Sequence, residues 1–307
     1  MFYVLNLGST DTTVVGLYKV KGKFQIADVF KVNSGYSDFV NNTVSDQLIQ
    51  NIPDYMSHKY FVVCDAFYKC GTATVDEAVS VGSGDLGELK IANICEDLLP
   101  AGLKKNEYLG TIMRRFPKTE RQDFVSTAYL KKELYEGIKL YFASNSIELF
   151  AIYPEAYVFT ELLTANNVNE YILKLSEGKF VYSVLKGIVV CQNKAYSDED
   201  AASFLYSFAN DLFETDHASQ LPRILLADKL DIISDANVVN RYIPAKDLKK
   251  EIFASLGACA AWSGKPHERK LAPPGEASDV ITGKRQEEGD KSGLYEKIRK
   301  FFIKTGH

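Results

Sequence analysis

The chain has 307 residues, of which 46% are apolar and 25% charged, with 36 Lys and Arg against 40 Asp and Glu. This composition is typical of a globular protein and excludes collagen, a coiled coil and wholesale disorder. The formal charge of −4 argues against nucleic-acid binding, because phosphate neutralisation needs a clustered basic surface. A single core stops growing near this length, so we expect two lobes.

The sequence predicts a protein of the cytoplasm. The first residues lack the basic region and small-residue cleavage site of a signal peptide. The longest uncharged run, 252–264, is too short to span a bilayer. The five cysteines form no C-x-x-C pair and are predicted to be reduced core residues.

The chain opens with a predicted three-stranded meander. Its strands cover 2–8, 12–20 and 24–32, and Lys21-Gly22-Lys23 forms the second turn. A helix over 44–52 and an apolar strand over 60–66 follow, so the sheet is predicted to be mixed.

The middle of the chain is predicted to be an inserted subdomain. The pattern from Gly82 to about Pro117 is helical and then irregular. After it come a strand, a helix, a strand and a helix, over 123–130, 131–143, 147–152 and 154–163.

The opening then recurs about 170 residues later. Tyr171 to Ser176 overlays Tyr3 to Gly8, with Tyr and both Leu identical, and strands over 179–185 and 188–193 complete a second meander. The rest of this half is predicted as a helix, two short β segments and a helix, over 198–214, 223–226, 238–243 and 246–262. The recurrence indicates an internal duplication.

The end of the chain changes character twice. Residues 263–292 are rich in Pro, Gly and both charges, and they predict a disordered linker. The segment that follows predicts an amphipathic helix with an aromatic face and a basic face on an anionic membrane. The membrane-binding residues are Leu294, Tyr295, Lys297, Ile298, Arg299, Lys300, Phe301, Phe302 and Lys304. The alternatives are a helix that docks on a partner, one that packs on its own body, and a solvated tail.

Few local motifs indicate chemistry. Gly82 to Gly87 satisfies G-x-G-x-x-G, but it does not follow the first strand of a βαβ unit, which favours a turn over a dinucleotide site. The four His are scattered and give no metal-ligand spacing, and no catalytic constellation is evident. The loop Gly8-Ser9-Thr10-Asp11-Thr12-Thr13 offers hydroxyls and N–H groups that could cradle a phosphate, or it is a plain β-turn.

Taken together, the two meanders, the inserted block and the final helix resemble the actin-like ATPase superfamily. The resemblance is to the branch of the cell-division protein FtsA, the pilus assembly protein PilM and the cytoplasmic domain of the secretion protein GspL. In that family each half starts with a three-strand sheet whose first hairpin holds phosphate. Residues 4–15 resemble the first phosphate loop, and Leu256 to Ala260 resembles the small-residue helix that closes the second half.

The resemblance implies an α/β, actin-like (ribonuclease H-like) fold of duplicated mixed-sheet lobes with an inserted strand-helix-strand subdomain. Its domains are a first lobe (1–80), the inserted subdomain (81–165), a second lobe (166–262), the linker (263–292) and the terminal helix (293–307). Nucleotide would be held by Gly8, Ser9, Thr10, Asp11, Thr12 and Thr13 of the first loop and by Lys174 of the second.

Three family positions have changed chemistry in this chain. Asn6 stands where the family has an Asp that holds Mg²⁺ through water. Lys174-Leu175-Ser176 replaces Asp-x-Gly, and Leu226 to Lys229 contains no Gly for an adenosine. We therefore expect no cofactor, no catalytic residue and no hydrolysis, with bound Mg-ATP, paired to Lys174, as the alternative.

The predicted function is a scaffold at the cytoplasmic face of a bacterial membrane. It would bind the cytoplasmic tail of a membrane protein, at a strand edge or groove of the inserted subdomain, and dock a type IV pilus or type II secretion-like platform. Homo-oligomerisation would strengthen the membrane tether. The alternatives are an FtsA-like adaptor that polymerises on the membrane and an active ATPase or kinase.

Overall fold

The computed structural model describes residues 1–20, 23–66, 69–76, 94–99, 102–119, 122–165, 171–176, 179–184, 187–192, 224–226 and 249–263. Its strands are β1 (Phe2–Leu7), β2 (Thr12–Val20), β3 (Lys23–Val32), β4 (Lys59–Cys64), β5 (Lys69–Asp76), β6 (Tyr108–Thr119), β7 (Gln122–Lys131), β8 (Leu149–Pro154), β9 (Tyr171–Ser176), β10 (Lys179–Val184), β11 (Gly187–Gln192) and β12 (Ile224–Leu226). Its helices are α1 (Tyr36–Val40), α2 (Gln47–Gln50), α3 (Lys132–Ser144), α4 (Glu155–Ala165) and α5 (Lys249–Ser263). Residues 55–57 form a 3-10 turn, and 94–97 are helical.

The described residues form two compact units. The first unit is built on a five-stranded sheet of order β3-β2-β1-β4-β8. Strands β1, β2 and β3 form an antiparallel meander, whereas β4 runs parallel to β1 and β8 parallel to β4. The sheet is therefore mixed, as the sequence predicts.

Helices cover both faces of this sheet, which explains why its central strand is apolar at nearly every position. On one face, α5 packs against β1 and against α4. On the other face, Tyr3 of β1 stacks on Tyr60 of β4, and Tyr60 meets Phe142 of α3 edge-on. Both faces of β1 are buried, so Val4 and Leu5 are each almost inaccessible to solvent.

Two glycines set the helix packing of the first unit. A Cβ on Gly257 of α5 would clash with the carbonyl oxygen of Val158 in α4, and one on Gly137 of α3 would clash with that of Phe39 in α1. The absence of a side chain at these two positions lets each pair of helices approach closely.

Two further sheets lie largely in the second unit. Strands β9, β10 and β11 form a second antiparallel meander in a sheet of order β11-β10-β9-β12. A three-stranded sheet has the order β5-β7-β6, with β5 antiparallel to β7. Tyr129 lies in β7 of this sheet, and its hydroxyl group donates a hydrogen bond to the carbonyl oxygen of Cys95 over 2.7 Å.

The strand order of the duplicated halves repeats. In both meander sheets, the first strand of the meander also pairs with a strand from later in the chain. This strand is β4 beside β1 in the first sheet and β12 beside β9 in the second. Most elements lie where the sequence predicts them, within a few residues. The predicted domain limits stay predictions.

Several elements differ from the secondary structure predicted from the sequence. Residues 69–76 form β5, which was not predicted, and residues 108–119 form β6 in a stretch predicted to be irregular. The predicted helix over 44–52 is the single turn α2. Strands β7 and β8, predicted as parts of one inserted block, pair in different sheets.

Several predicted features lie outside the described residues. These are the G-x-G-x-x-G motif, the helix over 198–214, the β segment over 238–243, nearly all of the linker, and the terminal helix with its membrane-binding residues.

Candidate functional site

The carboxyl ends of β1, β4 and β8 lie side by side in the first sheet. Leu7 is in register with Cys64, and Cys64 with Pro154. The next residues along each strand are Gly8, Asp65 and Glu155, and they therefore leave the sheet at the same edge. Ligands of open α/β sheets bind beyond this edge, so we take it as the candidate site.

The predicted phosphate loop connects β1 to β2 at this edge, and several of its polar groups are bonded within the protein. The Gly8 N–H donates to the Asp11 carbonyl over 2.9 Å. The Asp11 carboxylate accepts from the Thr10 hydroxyl at 3.1 Å and pairs with the Lys31 ammonium of β3 at 3.0 Å. Only Ser9 and Thr10 at the tip of the loop are exposed.

The second half of the loop is buried and held by its neighbours. The hydroxyl of Thr12 donates to the Ser34 carbonyl over 2.6 Å. The Thr13 carbonyl accepts from the Asn6 amide over 3.4 Å. Gly35 lies against the loop tip, where a Cβ would clash with the Ser9 carbonyl and come within 2.6 Å of the Thr10 nitrogen. The loop is therefore fixed from both sides.

Asn6 links the sheet to α5. Its side-chain N–H donates to the Ser255 hydroxyl over 2.7 Å, and that hydroxyl donates to the Glu251 carbonyl one turn earlier in the helix, also over 2.7 Å. Its side-chain oxygen is buried and accepts no hydrogen bond from the described residues. Asn6 thus serves here as a neutral donor between two elements that are 249 residues apart in sequence.

A buried ion pair lies at the start of α5. The Lys250 ammonium is 2.5 Å from the carboxylate of Glu155, the first residue of α4, and the two side chains are 24% and 6% exposed. Burial lowers the pKa of Lys250, but the Glu155 carboxylate, with help from Asp65 and Glu251, more than compensates and leaves that pKa raised. Lys250 is therefore firmly cationic.

Glu251, the next residue of α5, carries a half-buried carboxyl group. Burial raises the pKa of its carboxyl, and the nearby Glu155 adds to the rise, whereas the Glu251 backbone, Lys250 and Lys31 oppose it. One of its carboxylate oxygens is buried and accepts no hydrogen bond from any described residue.

We call these six residues the carboxyl-edge cluster: Asn6, Asp65, Glu155, Lys250, Glu251 and Ser255. All six residues belong to one compact unit, and the single cation, Lys250, forms its ion pair with Glu155. Among the described residues, no group of three or more His, Cys, Asp and Glu is placed to hold a metal ion.

The other nucleotide residue predicted from the sequence lies in the second unit. Lys174 occupies the middle of β9, in register with Phe180 of β10. Its position one residue before Leu175, whose side chain is buried, matches the predicted alignment of β9 with β1.

The sequence analysis missed the Lys250–Glu155 pair. A signal was available, because Glu155 follows an apolar strand directly and Lys250 lies in the first turn of a helix whose residues 252–263 carry no charge. Charges in such positions indicate a buried pair, but their partner cannot be chosen without the topology.

None of the helices within the described residues is long and apolar enough to cross a membrane. No family model matches the chain, and no curated protein matches it.

Solved structures do match. The chain resembles PilM in a "PilM-PilN type IV pilus biogenesis complex", with a TM-score of 0.52 and 9% identity over 85% of this chain and 98% of that one. It also matches the cytoplasmic domain of EpsL, "an inner membrane component of the type II secretion system of Vibrio cholerae", with a TM-score of 0.44 and 8% identity over 84% and 94% of the two chains. A third match is the Aquifex aeolicus PPX-GPPA enzyme, with a TM-score of 0.34 and 10% identity over 99% and 91%.

The fold assignment rests on the PilM match, whose TM-score exceeds 0.5. Together with the mixed sheets it confirms the predicted α/β class, and the chain has the actin-like ATPase fold.

Proposed function

We propose that this chain is a non-hydrolysing, actin-like scaffold at the cytoplasmic face of a membrane. It binds the cytoplasmic tail of a membrane protein and docks an assembly platform of the type IV pilus or type II secretion kind. The observation that supports this proposal best is the carboxyl-edge cluster, where the Asn6 amide is bonded to Ser255 and the Lys250 ammonium is paired with Glu155.

The donor set at this edge fits a magnesium triphosphate poorly. Mg²⁺ is held through carboxylates, whereas near the end of β1 the neutral Asn6 donates its amide to Ser255. Of the cations nearby, Lys250 is paired with Glu155 and Lys31 with Asp11. A triphosphate would have to compete with carboxylates for both ammonium groups.

An actin-like fold whose ligand edge fits a magnesium triphosphate poorly favours a binding role for this chain. The fold is shared with PilM, which is described in a complex with PilN. An extended peptide can add to a strand edge or lie in a groove, with the main chain supplying affinity and side-chain pockets specificity.

Peptide binding tests this proposal. Fluorescent peptides covering the cytoplasmic tails of membrane proteins encoded beside this gene are titrated into the intact chain, and anisotropy is recorded. We expect one tail to bind saturably and its scrambled version not to bind. Binding of no tail, together with Mg-ATP hydrolysis by the chain, would instead support the ATPase alternative.

Polymerisation separates the adaptor alternative from the scaffold. The intact chain is incubated with anionic vesicles and followed by light scattering and negative-stain microscopy. We expect no filaments for the scaffold, whereas filaments on the vesicles would support the FtsA-like adaptor.

A further inference from the structure

Helix α5 runs antiparallel to β1 and crosses its whole length. Near its start, Ser255 bonds to Asn6 at the carboxyl end of β1. At its end, the Trp262 ring lies 5.0 Å from that of Phe2, the first residue of β1. Ser263, the last residue of α5, therefore lies at the amino edge of the sheet, opposite the carboxyl-edge cluster.

Aromatic rings surround the last turn of α5 at this amino edge. Phe2 contacts Phe24 at 5.8 Å and Trp262 at 5.0 Å, and Phe61 contacts both Trp262 and Phe150 at 6.0 Å. Phe61 and Phe24 are buried and form the floor, whereas Phe2, Phe150 and Trp262 are partly exposed.

Two lysines lie over these rings. The Lys59 ammonium is 4.5 Å from the Trp262 ring and 5.1 Å from the Phe150 ring, and the Lys19 ammonium is 5.4 Å from the Phe24 ring. Neither ammonium is within ion-pair distance of a carboxylate in the part of the chain described. We call Phe2, Lys19, Phe24, Lys59, Phe150 and Trp262 the aromatic–lysine patch.

Further apolar side chains are exposed around the patch. Met1 is 43% exposed, Tyr18 38% and Val20 39%, and all three lie at the amino edge of the meander. The edge thus combines partly exposed rings, exposed apolar side chains and cations that have no carboxylate partner among the described residues. Side chains of this kind place their rings at the level of lipid headgroups and direct ammonium groups to phosphates.

We propose that the aromatic–lysine patch is a second contact with an anionic phospholipid surface, used together with the terminal helix. Charge complementarity and the place where the chain leaves the body both support this occupant. The predicted linker starts at Ser263, beside Trp262, so a helix tethered by it and the patch can reach the same bilayer. Two weak contacts in one chain reinforce each other through effective concentration. The inference rests on the proposed membrane location.

Tryptophan fluorescence tests the inference directly, because Trp262 is the only tryptophan of the chain. The intact chain is mixed with vesicles of phosphatidylcholine and phosphatidylglycerol, with or without brominated acyl chains. We expect brominated lipid to quench Trp262 in the anionic vesicles and not in vesicles of phosphatidylcholine alone. Vesicle flotation in parallel reports binding by any part of the chain.

A charge-reversed variant and a matched control localise the effect. Lys19→Glu with Lys59→Glu should abolish the quenching and weaken vesicle partitioning at least about tenfold. The control, Lys104→Glu with Lys105→Glu, reverses two exposed charges in the other unit and should change neither measurement. The unfolding temperature of each variant shows whether the fold is intact.

The outcomes separate this inference from the proposed membrane attachment. Flotation without quenching of Trp262 would overturn the patch while leaving attachment through the tail standing. Quenching that survives Lys19→Glu with Lys59→Glu would also overturn it. A Phe301→Asp with Phe302→Asp variant should weaken flotation, and absence of flotation by the unmodified chain would overturn both proposals.

Discussion

The Lys250–Glu155 ion pair is the strongest electrostatic feature of the carboxyl edge. Both side chains are largely withdrawn from water, and the carboxylate is almost wholly buried. Taking two charges out of water is costly. Removing one partner alone leaves the other charge buried and unpaired, which strongly destabilises the fold. An anionic ligand at this edge would need the Lys250 ammonium, which is already paired with Glu155.

Removal of the ammonium should therefore destabilise the fold. We expect Lys250→Met to lower the free energy of unfolding by about 3 kcal/mol, because the Glu155 charge stays buried without its cation. Urea unfolding measures the change. The control is Lys132→Met, which breaks a solvent-exposed pair with Glu136 on α3 and should cost less than about 0.5 kcal/mol. Equal costs for the two variants would refute a buried pair.

Glu251 should make stability depend on pH in the opposite sense to most carboxyl groups. Burial raises the pKa of its carboxyl, so the folded state binds this proton more tightly than the unfolded state. The contribution of Glu251 to the free energy of unfolding therefore falls as pH rises from the ordinary pKa of 4.5 through the raised pKa of the folded state.

The uncharged variant Glu251→Gln should accordingly be more stable than the parent at about pH 7, with the difference vanishing at about pH 4. Thermal unfolding at the two pH values checks this. The control is Glu133→Gln, which changes an exposed acid in the first turn of α3 and should slightly destabilise, because it removes a favourable charge at the helix start. Destabilisation by Glu251→Gln at neutral pH would contradict the account.

At the scale of elements, the sequence predicted those whose pattern is local. The first meander was recognisable because β1 and β2 are short, apolar segments and the β2–β3 connection contains a glycine flanked by lysines. Strand β6 was missed because Gly110 and Pro117 interrupt its pattern. A proline within a strand is tolerated at a sheet edge, where β6 lies, and only the topology reveals that position.

The close packing of α4 on α5 predicts how a substitution at Gly257 changes stability. In an exposed helix, Gly→Ala stabilises by roughly 0.5–1 kcal/mol. Here the added methyl group would meet the Val158 carbonyl, so Gly257→Ala should instead destabilise by about 1–3 kcal/mol. Chemical denaturation gives the sign. Ala260→Gly, a half-buried position in the same helix, serves as the control and should cost about 1 kcal/mol from helix propensity alone. Stabilisation by Gly257→Ala would show that the helices are not in this close contact.

At the scale of the whole molecule, the fold was predictable and much of the candidate site was not. The recurrence of Tyr3 to Gly8 at Tyr171 to Ser176 indicated duplicated sheets, and the strand order of the two meander sheets repeats. The partners of Asn6 and Glu155 were not predictable, since both lie on α5, far along the chain. Sequence patterns identify faces of elements, but long-range polar pairs depend on how those elements are packed.

We propose that the chain keeps the actin-like fold but not its nucleotide chemistry. Thermal unfolding of the intact chain with increasing Mg-ATP, recorded alongside phosphate release, is the test of this proposal. We expect an unchanged unfolding temperature and no phosphate. A ligand at about 100 times its dissociation constant would stabilise the fold by roughly 2.7 kcal/mol. A saturable rise of that order, with phosphate released, would contradict the claim.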